Sequence, residues 1–535
     1  MENMTLFYGM LAGYIIAIAL LGYLGYRHTR SAEDFMIAGG NVHPFLMALA
    51  YGSTFISTSA IVGFGGAAGV YGLSLLWLTV FTILVGVFIA FVFYGRKTRE
   101  LAHGLGIKTF PEMLGTYFDS SFIRRFSAGL LTVAMPIYAA AVMIGGARFI
   151  EESFHISYQL ALYGFASIII VYVFFGGLRG VIYTDAFQSI IMFFGMIIVL
   201  GLTYWQLGGV TAAHESLGAM HHLVPEGLRS LGHAGWTSMP VFGTEIWWYV
   251  VSTLVLGVGI GVLAQPQLAV RYMTVKSSRE IYRAMLVGGI FILCMTGVAF
   301  TVGALSNVYF HKTSGMISLS ASEIGGAGAN VDKIIPLFIT QAMPEWVLML
   351  FLLTLLSAAM STLSGQFHMI STSLAYDLNP AAGENDRQTL IWTRMGTIMG
   401  FLLTLIFAFS LPSSIIALAT ALFFGLCAAV FLPVYTAALY WPKVTKSGAI
   451  WSMVGSTMLY LYIVLFVHEK EAALFGICEK LFGVKTLASA PWTYIDPIVI
   501  ALPFSAAMLV LASLLTQPST KKAASLITVG ERQIR

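Results

Sequence analysis

Charged residues are scarce in this chain of 535 residues: Asp, Glu, Lys and Arg make up only 10% of it, and hydrophobic residues make up 58%. Soluble domains carry about 25% charged residues, so this composition cannot form a water-soluble surface. The scarcity excludes a soluble globular protein and predicts a protein of the membrane. A net charge of +4 therefore says little about nucleic acid, and we interpret the basic residues as determinants of membrane orientation.

Cysteine is also rare, and the three present are Cys294, Cys427 and Cys478. They show no metal-ligand spacing, so the sequence predicts neither a disulfide framework nor a redox centre. The apolar stretches contain no nucleophile with a base, no paired carboxylates and no metal cluster, which disfavours a membrane enzyme. The N-terminus has no basic segment before its first apolar run, which we interpret as a retained membrane helix instead of a cleaved signal peptide.

Apolar runs near the roughly 20 residues that a bilayer requires occur thirteen times, and we name them spans one to thirteen in chain order. They cover residues 6–26, 44–71, 75–94, 126–150, 158–175, 185–205, 246–264, 284–305, 346–374, 395–409, 415–440, 449–466 and 498–515.

The basic residues predict how these spans are oriented. With the N-terminus outside, the inner segments hold 21 of the 28 Lys and Arg residues. The outer segments hold Arg148, Arg229, Lys312, Lys333, Lys470, Lys480 and Lys485. By the positive-inside rule we predict an N-terminus outside and a C-terminus inside, with Arg148 counted at the outer end of span four.

Span two is the stretch from which the functional interpretation starts. It is long enough to cross a bilayer, and its middle, residues 53–59, is a cluster of hydroxyl side chains without a charge. Four glycines interrupt it, at Gly52, Gly63, Gly65 and Gly66. An unwound backbone within the hydrocarbon is tolerated only where it lines a cavity, so a broken helix with hydroxyls at the break predicts a ligand site. The alternative is a kinked helix whose glycines allow close packing.

A counterpart to span two lies five spans later. In span seven, Gly257, Gly259 and Gly261 recur close to Ser252 and Thr253. Interrupted helices at corresponding positions of two halves are typical of secondary transporters built from inverted repeats. We predict a first repeat in residues 43–206 and an inverted second repeat in 244–442. Residues 1–42 form an N-terminal flanking helix with a cytoplasmic loop, and 207–243 form an outer loop. Two C-terminal flanking helices follow in 443–516, and 517–535 are a cytoplasmic tail.

Span nine supplies the other half of a cation site. Ala358, Ser361 and Thr362 fall within about one helical turn, and Ser364 and Gly365 follow. A hard monovalent cation prefers several oxygen ligands. Carbonyls released at a break in span two, together with two hydroxyls of span nine, can supply about five oxygens. The alternative is that these hydroxyls bond their own helix or a neighbouring one.

Several separated motifs resemble those of the sodium:solute symporter family, which includes proline, sugar, pantothenate and monocarboxylate symporters. The resemblance extends from Tyr14 to Leu515. It rests on residues 53–71, IGGAR at 144–148, GGLR at 176–179 with YTD at 183–185 and Gln188, QPQ at 265–267 with Arg271, and AAMST at 358–362. It implies an all-α protein of the cell's inner (plasma) membrane that has about 13 transmembrane helices, a LeuT-like core of five plus five inverted helices, and flanking helices.

The resemblance also implies particular ligands. The family's sodium (Na+) site falls on the carbonyls of Ser53, Ile56 and Ala358 and the hydroxyls of Ser361 and Thr362. Asp185 matches an acidic position that joins a second sodium site in some members. Ser364 keeps one hydroxyl of that second site, whereas the neighbouring position here is Gly365. Independently of the family, Asp185 opens span six and is a candidate helix cap following Thr184.

The character of the solute follows from the missing charges. Spans two, three, seven, eight, nine and eleven contain no Asp, Glu, Lys or Arg, so a multiply charged solute would lack a partner. A small neutral, zwitterionic or singly negative solute fits better. Its carboxylate can be met by N–H groups at the break in span two and by the positive end of the following half-helix.

Comparison with branches of the family narrows the prediction. Residues 54–72 and the IGGAR motif resemble the pantothenate and monocarboxylate branch. Phe55, Ser59 and Ala60 stand near the place where proline and sugar symporters carry a charged or amide side chain. We predict import of a small organic carboxylate coupled to sodium, with proline or another amino acid as the alternative. The predicted substrate-binding residues are Phe55, Ser57, Thr58, Ser59, Ser252 and Thr253.

Two further interpretations stay open. A membrane sensor built on a transporter-like bundle would need an output module, and none is recognised after Leu515. Proton coupling would need a titratable group in the path, and only Asp185 and His368 are near it. The predicted partners are sodium, a small-molecule substrate and the lipid bilayer, without nucleic acid and with the oligomeric state open.

Overall fold

The computed structural model describes residues 4–28, 32–175, 178–323, 328–379, 386–412 and 414–516. Within these ranges the regular structure is helical, apart from one isolated bridge between Val42 and Val275. The first two glycines of the GGLR motif and the predicted cytoplasmic tail, 517–535, lie outside the described residues. The prediction of an all-α protein is confirmed for the described chain.

Long helices account for most of the spans, and several of them begin at a polar cap. Ser120 caps one of them by accepting from the Ile123 N–H, and Asp496 caps another by accepting from the Ile498 N–H. Such caps satisfy the first N–H groups, which have no partner inside the helix. The long helices are Met4–His28, Ser121–Phe154, Tyr158–Phe175, Leu178–Leu207, Ser278–Ser314, Glu345–Thr372, Asp386–Ser410, Ile416–Tyr440, Lys446–Phe466 and Pro497–Leu515.

The remaining spans are composite. Span two consists of helix Pro44–Phe55, a π-helical turn at Ser59–Gly63 and helix Phe64–Tyr71. Span three runs through Leu76–Phe81, Thr82–Gly95 and Arg96–Leu105. Span seven runs through Glu245–Trp248, Tyr249–Gly257, Val258–Gly261, Val262–Ala264 and Pro266–Met273. Shorter helices fill the connections, at Ala32–Ile37, Phe110–Tyr117, Val210–Ala219, Glu226–Ser230, Ser318–Ala321, Val331–Lys333, Ile334–Ala342, Glu469–Phe475 and Ile477–Phe482.

Eleven helices of the described chain are long and apolar enough to cross a membrane. Two features account for the difference between these eleven helices and the thirteen predicted spans. The second half of span two is continuous with span three, as Ser59–Leu105, and in span five the apolar stretch whose side chains are described, Tyr158–Ile169, covers only part of helix Tyr158–Phe175. A count of thirteen therefore stays a prediction.

Burial separates central helices from peripheral ones. In its most apolar window, span eleven is 94% buried and span nine 83%, whereas span one is only 17% and span thirteen 28%. Span nine packs against spans four, six and ten. The central helices therefore surround the break in span two, and the outer faces of spans one and thirteen are left for lipid.

Glycines let span eight approach the outer half of span two. A Cβ on Gly303 would lie 2.0 Å from the Gly65 carbonyl oxygen, and one on Gly66 would lie 2.2 Å from the Val331 carbonyl oxygen. Any larger residue would force these backbones apart. The packing interpretation is thus right for these glycines, and they do not interrupt the helix.

Candidate functional site

The break in span two falls within the hydroxyl cluster and not at a glycine. Helix Pro44–Phe55 ends as Ile56 turns to an extended conformation, with φ −84° and ψ 105°. Helical structure resumes at Ser59. Because the last four carbonyls of a helix have no N–H partner within it, the carbonyls of residues 53–56 become available to other groups.

Span nine meets two of these carbonyls with hydroxyl groups. The Ser361 Oγ lies 3.0 Å from the Ser53 carbonyl oxygen and 3.2 Å from that of Ala358. The Thr362 Oγ1 lies 3.3 Å from the Ser53 oxygen and 3.2 Å from that of Thr54. All of these residues are buried. The oxygens therefore converge without any charged side chain among them, a donor set that suits a hard monovalent cation.

Of the other predicted ligands, Ile56 provides the backbone turn, and the Ser364 hydroxyl bonds within its own helix. The Ser364 Oγ donates to the Ser361 carbonyl oxygen at 3.0 Å, within its own helix. A Cβ at Gly365 would lie 3.0 Å from the Thr54 side chain. The predicted second sodium site is therefore represented mainly by Asp185.

Asp185 forms a buried ion pair. Its Oδ2 accepts from the Arg271 Nη2 at 2.8 Å, with the two side chains 0% and 1% exposed. Helix Leu178–Leu207 begins about two turns before Asp185, so the interpretation of this residue as a helix cap is wrong. Its Oδ1 is buried without a hydrogen-bond partner among the described residues.

Arg271 is the residue that the sequence interpretation placed incorrectly. We assigned it to an inner loop because span seven was drawn to end at residue 264. Instead, only Gln265 is extended, and helix Pro266–Met273 resumes with proline in its first turn, where proline is well tolerated. The arginine motif after QPQ was visible in the sequence, but its partner, Asp185, is distant along the chain. The site thus has a buried cation beside it.

Thr54 connects the ion pair to the carbonyl cluster. Its hydroxyl accepts from the Arg271 Nη2 at 2.8 Å and lies 3.5 Å from the Asp185 Oδ2. Its carbonyl oxygen accepts from Thr362. The end of helix Pro44–Phe55 is therefore held by spans six and seven through a side chain and by span nine through the backbone.

A small cavity lies on the other side of the break. Its volume is about 20 Å³, enough for a water molecule, so the helices must separate before a solute can enter. Its aromatic wall includes Tyr138 and Phe424, with ring centroids 5.3 Å apart. The lining residues are Phe55, Ser57, Ala60, Phe64, Leu78, Thr82, Tyr138, Val258, Thr296, Phe300, Thr420 and Phe424.

The predicted substrate residues divide into two groups. Phe55 and Ser57 line the cavity, and Ser59 is buried beside them with its N–H donating to the Ser57 Oγ at 3.1 Å. The Thr58 hydroxyl donates to the Val142 carbonyl oxygen. The sequence reasoning missed the rest of the lining: Ala60 and Phe64 belong to span two itself, and the other eight residues come from five other spans.

Ser252 and Thr253 form the second group and do not line the cavity. The Ser252 Oγ accepts from the Asp496 N–H at 3.1 Å. Burial raises the pKa of the Asp496 carboxyl to about 7, although the Ile498 N–H and the Thr253 hydroxyl favour its charged form. These two hydroxyls therefore contact the start of span thirteen.

The loop 207–243, which the sequence predicts to lie outside, covers the far end of span two. The His233 Nε2 lies 2.8 Å from the Val70 carbonyl oxygen, and the Trp236 Nε1 donates to the Gly69 carbonyl oxygen at 3.0 Å. Burial lowers the pKa of His233, and its bond to Val70 only partly opposes this effect. The loop therefore packs against the end of helix Phe64–Tyr71.

Comparisons with known proteins agree with this architecture. A family model described as the sodium:solute symporter family matches residues 35–455. A sodium/pantothenate symporter of Haemophilus influenzae is 28% identical over 483 residues, which cover 88% of this chain and 94% of that protein. A sodium/proline symporter of Salmonella typhimurium is 26% identical over 448 residues, covering 82% and 84%.

A solved structure supports the fold. The substrate-bound, outward-open state of a sodium-coupled sialic acid symporter aligns with a TM-score of 0.73 at 17% sequence identity, covering 96% of this chain and 98% of its own. The matched family and these relatives are transporters with membrane-spanning helices. The chain described here therefore belongs to the sodium:solute symporter family and is a multi-pass protein of the plasma membrane.

Proposed function

We propose that this protein imports a small organic carboxylate together with sodium by alternating access. One observation carries the proposal: the carbonyls freed at the break in span two meet the hydroxyls of Ser361 and Thr362, beside a cavity without charged lining. The proposed sodium ligands are the oxygens of Ser53, Ile56, Ala358, Ser361 and Thr362. Sodium is a cargo here, and its inward gradient supplies the driving force.

The cavity suits a solute of low charge with an apolar part. Four phenylalanines and Tyr138 are among its lining residues, and Ser57 with three threonines supplies hydroxyls. The N–H groups at the start of the outer half-helix can meet a carboxylate. A pantothenate-like or monocarboxylate solute fits this description. Proline is the second candidate, because the relatives include a sodium/proline symporter at nearly the same identity.

Coupling follows from a shared structural element. The cation ligands and the cavity both depend on the conformation of residues 53–59. A ligand shifts a conformational equilibrium only by its difference in affinity for the two states. Because sodium and solute stabilise the same arrangement of this segment, each raises the affinity for the other.

The ion pair gives Asp185 a positioning role. Through Thr54, Arg271 and Asp185 hold the carbonyl end of helix Pro44–Phe55 in place. A second sodium, predicted at Asp185 and Ser364, would share the Asp185 carboxylate with Arg271. A measured coupling ratio of two sodium ions per solute would support that second site.

The architecture that we propose is two inverted repeats, 43–206 and 244–442, within thirteen spans, with the N-terminus outside. The interruptions at Ile56 and Gln265 lie in spans two and seven, the first span of each proposed repeat. Cysteine accessibility at residues 27 and 99, both predicted inside, and at residue 485, predicted outside, tests this topology.

Transport into proteoliposomes tests the function. We expect pantothenate, short monocarboxylates or proline to accumulate when a sodium gradient is imposed, and no accumulation with potassium in its place. Uptake driven by a pH gradient without sodium would instead support proton coupling. Binding of a solute without any transport would support a sensor and refute the proposal.

A further inference from the structure

Span nine carries a row of polar side chains from the candidate cation site towards its cytoplasmic end. Thr362, Gln366, Ser373 and Asp377 are separated by four, seven and four residues, spacings that return to the same face of a helix. All four residues are buried. At about 1.5 Å per residue the row is about 22 Å long. It connects the proposed sodium site with the end of the span that the proposed topology places inside.

Polar atoms of this row lack partners where other hydroxyls of the helix have them. Both amide atoms of Gln366, the Oγ of Ser373 and the Oδ2 of Asp377 are buried without a hydrogen-bond partner in the part of the chain that the structure describes. By contrast, the Ser371 Oγ donates to the His368 carbonyl oxygen at 2.9 Å. An unpartnered buried polar atom is unfavourable unless a water or an ion contacts it. The row therefore offers unpartnered polar atoms to a water or an ion.

The charges around Asp377 indicate what kind of ligand this is. Its Oδ1 accepts from the Thr109 hydroxyl and from the Arg124 Nε, each at 2.8 Å. Glu112 lies 3.9 Å from the Arg124 Nη2 and accepts from the Tyr376 hydroxyl at 2.9 Å. Two carboxylates thus share one guanidinium, which cannot neutralise both of them when both are ionised. A cation suits this position, and an anion does not.

We infer that Ser373 and Asp377 form a further, transient alkali-cation site, separate from those predicted at Ser361 and at Asp185, through which sodium leaves towards the cytoplasm. The inference rests on the proposed function. The Asp377 Oδ2 and the Ser373 Oγ supply the protein oxygens at this site, and water completes the coordination, as is common for hard cations. The amide oxygen of Gln366 lies between this site and Thr362 along the row, and it contacts the ion in passage.

Inhibition of uptake by internal sodium tests the inference. Right-side-out membrane vesicles containing the protein would be loaded with increasing sodium, and the initial rate of solute uptake measured. Ser373→Ala removes a hydroxyl that has no hydrogen bond to lose. We expect it to raise the half-inhibiting internal sodium concentration roughly 3- to 10-fold, as for the loss of one polar contact. Asp377→Asn keeps an acceptor for Thr109 and Arg124, and we expect a shift of about tenfold or more.

The controls separate ion release from folding and from the proposed function. Ser371→Ala removes a partnered hydroxyl of the same helix that packs towards span ten, and we expect it to leave internal inhibition unchanged. The external sodium concentration for half-maximal uptake should stay constant in Ser373→Ala and Gln366→Leu. If inhibition by internal sodium is unchanged in both Ser373→Ala and Gln366→Leu, the inference is overturned. An equal shift of the half-inhibiting internal sodium concentration in Ser371→Ala would overturn it as well. If Asp377→Asn does not fold, Ser373→Ala decides. No sodium-driven uptake by the unmodified protein would refute the proposed function instead.

Discussion

Removing Arg271 should destabilise the protein far more than removing an arginine from a surface ion pair of similar length. Arg271 and Asp185 are 1% and 0% exposed at a separation of 2.8 Å, whereas Arg96 and Glu100 are 2.7 Å apart with Arg96 53% exposed. Leaving one charge of a buried pair without its partner costs about 3–5 kcal/mol. An exposed pair contributes about 0–1 kcal/mol.

The assay is unfolding of the purified protein by titration of SDS into dodecylmaltoside micelles. We expect Arg271→Met to lower the free energy of unfolding by about 3–5 kcal/mol and Arg96→Gln by less than about 1 kcal/mol. The double variant Arg271→Met/Asp185→Asn should recover much of the loss, because no uncompensated charge stays buried. Equal losses for Arg271→Met and Arg96→Gln, or a double variant that loses the sum of both single effects, would refute the reasoning.

Two further predictions concern packing and pH. Gly303→Ala should abolish expression of folded protein because its Cβ would lie 2.0 Å from the Gly65 oxygen. Gly297→Ala should be tolerated, because nothing lies within 4 Å of its Cβ. Matching profiles of the two variants in fluorescence-detected gel filtration would contradict this prediction. Burial lowers the pKa of His233, so the stability of the outer-loop contact is complete above the unfolded pKa of about 6.5 and declines as the pH falls below it. Hydrogen exchange in the outer loop 207–243, corrected for the intrinsic pH dependence, should be faster at acidic pH in the unmodified protein but not in His233→Gln. Equal acceleration in both proteins would contradict a role of His233 in holding this loop.

The positions of the membrane helices could be predicted because the bilayer imposes their length and hydropathy. The predicted run 415–440 corresponds to helix Ile416–Tyr440, and 449–466 to Lys446–Phe466. Breaks were harder to place. We expected glycines to cause them, but a glycine within a membrane helix also permits close approach of a neighbour. The extended residues are Ile56, whose residue type does not indicate a break, and Gln265, where the following Pro266 favours an extended conformation.

The candidate site was predictable where a motif supplied its residues. Ser361 and Thr362 were predicted to face the Ser53 carbonyl, and the distances of 3.0 and 3.3 Å agree with that arrangement. The ion pair was not predictable from one sequence, because Arg271 and Asp185 belong to different spans and each had a plausible role near a membrane surface. Most of the cavity lining escaped prediction for the same reason, since its hydroxyls and aromatic rings meet only after the spans have packed.

The sodium dependence of uptake in variants of span nine tests the central claim most directly. We expect Ser361→Ala and Thr362→Ala to raise the external sodium concentration for half-maximal uptake roughly 3- to 10-fold, as for the loss of one polar contact, with folding retained. Ser357 lies one turn before Ser361, and its hydroxyl is 3.2 Å from the Tyr14 hydroxyl. Ser357→Ala should therefore leave the sodium concentration for half-maximal uptake unchanged. Unaltered sodium dependence in both Ser361→Ala and Thr362→Ala would contradict the account.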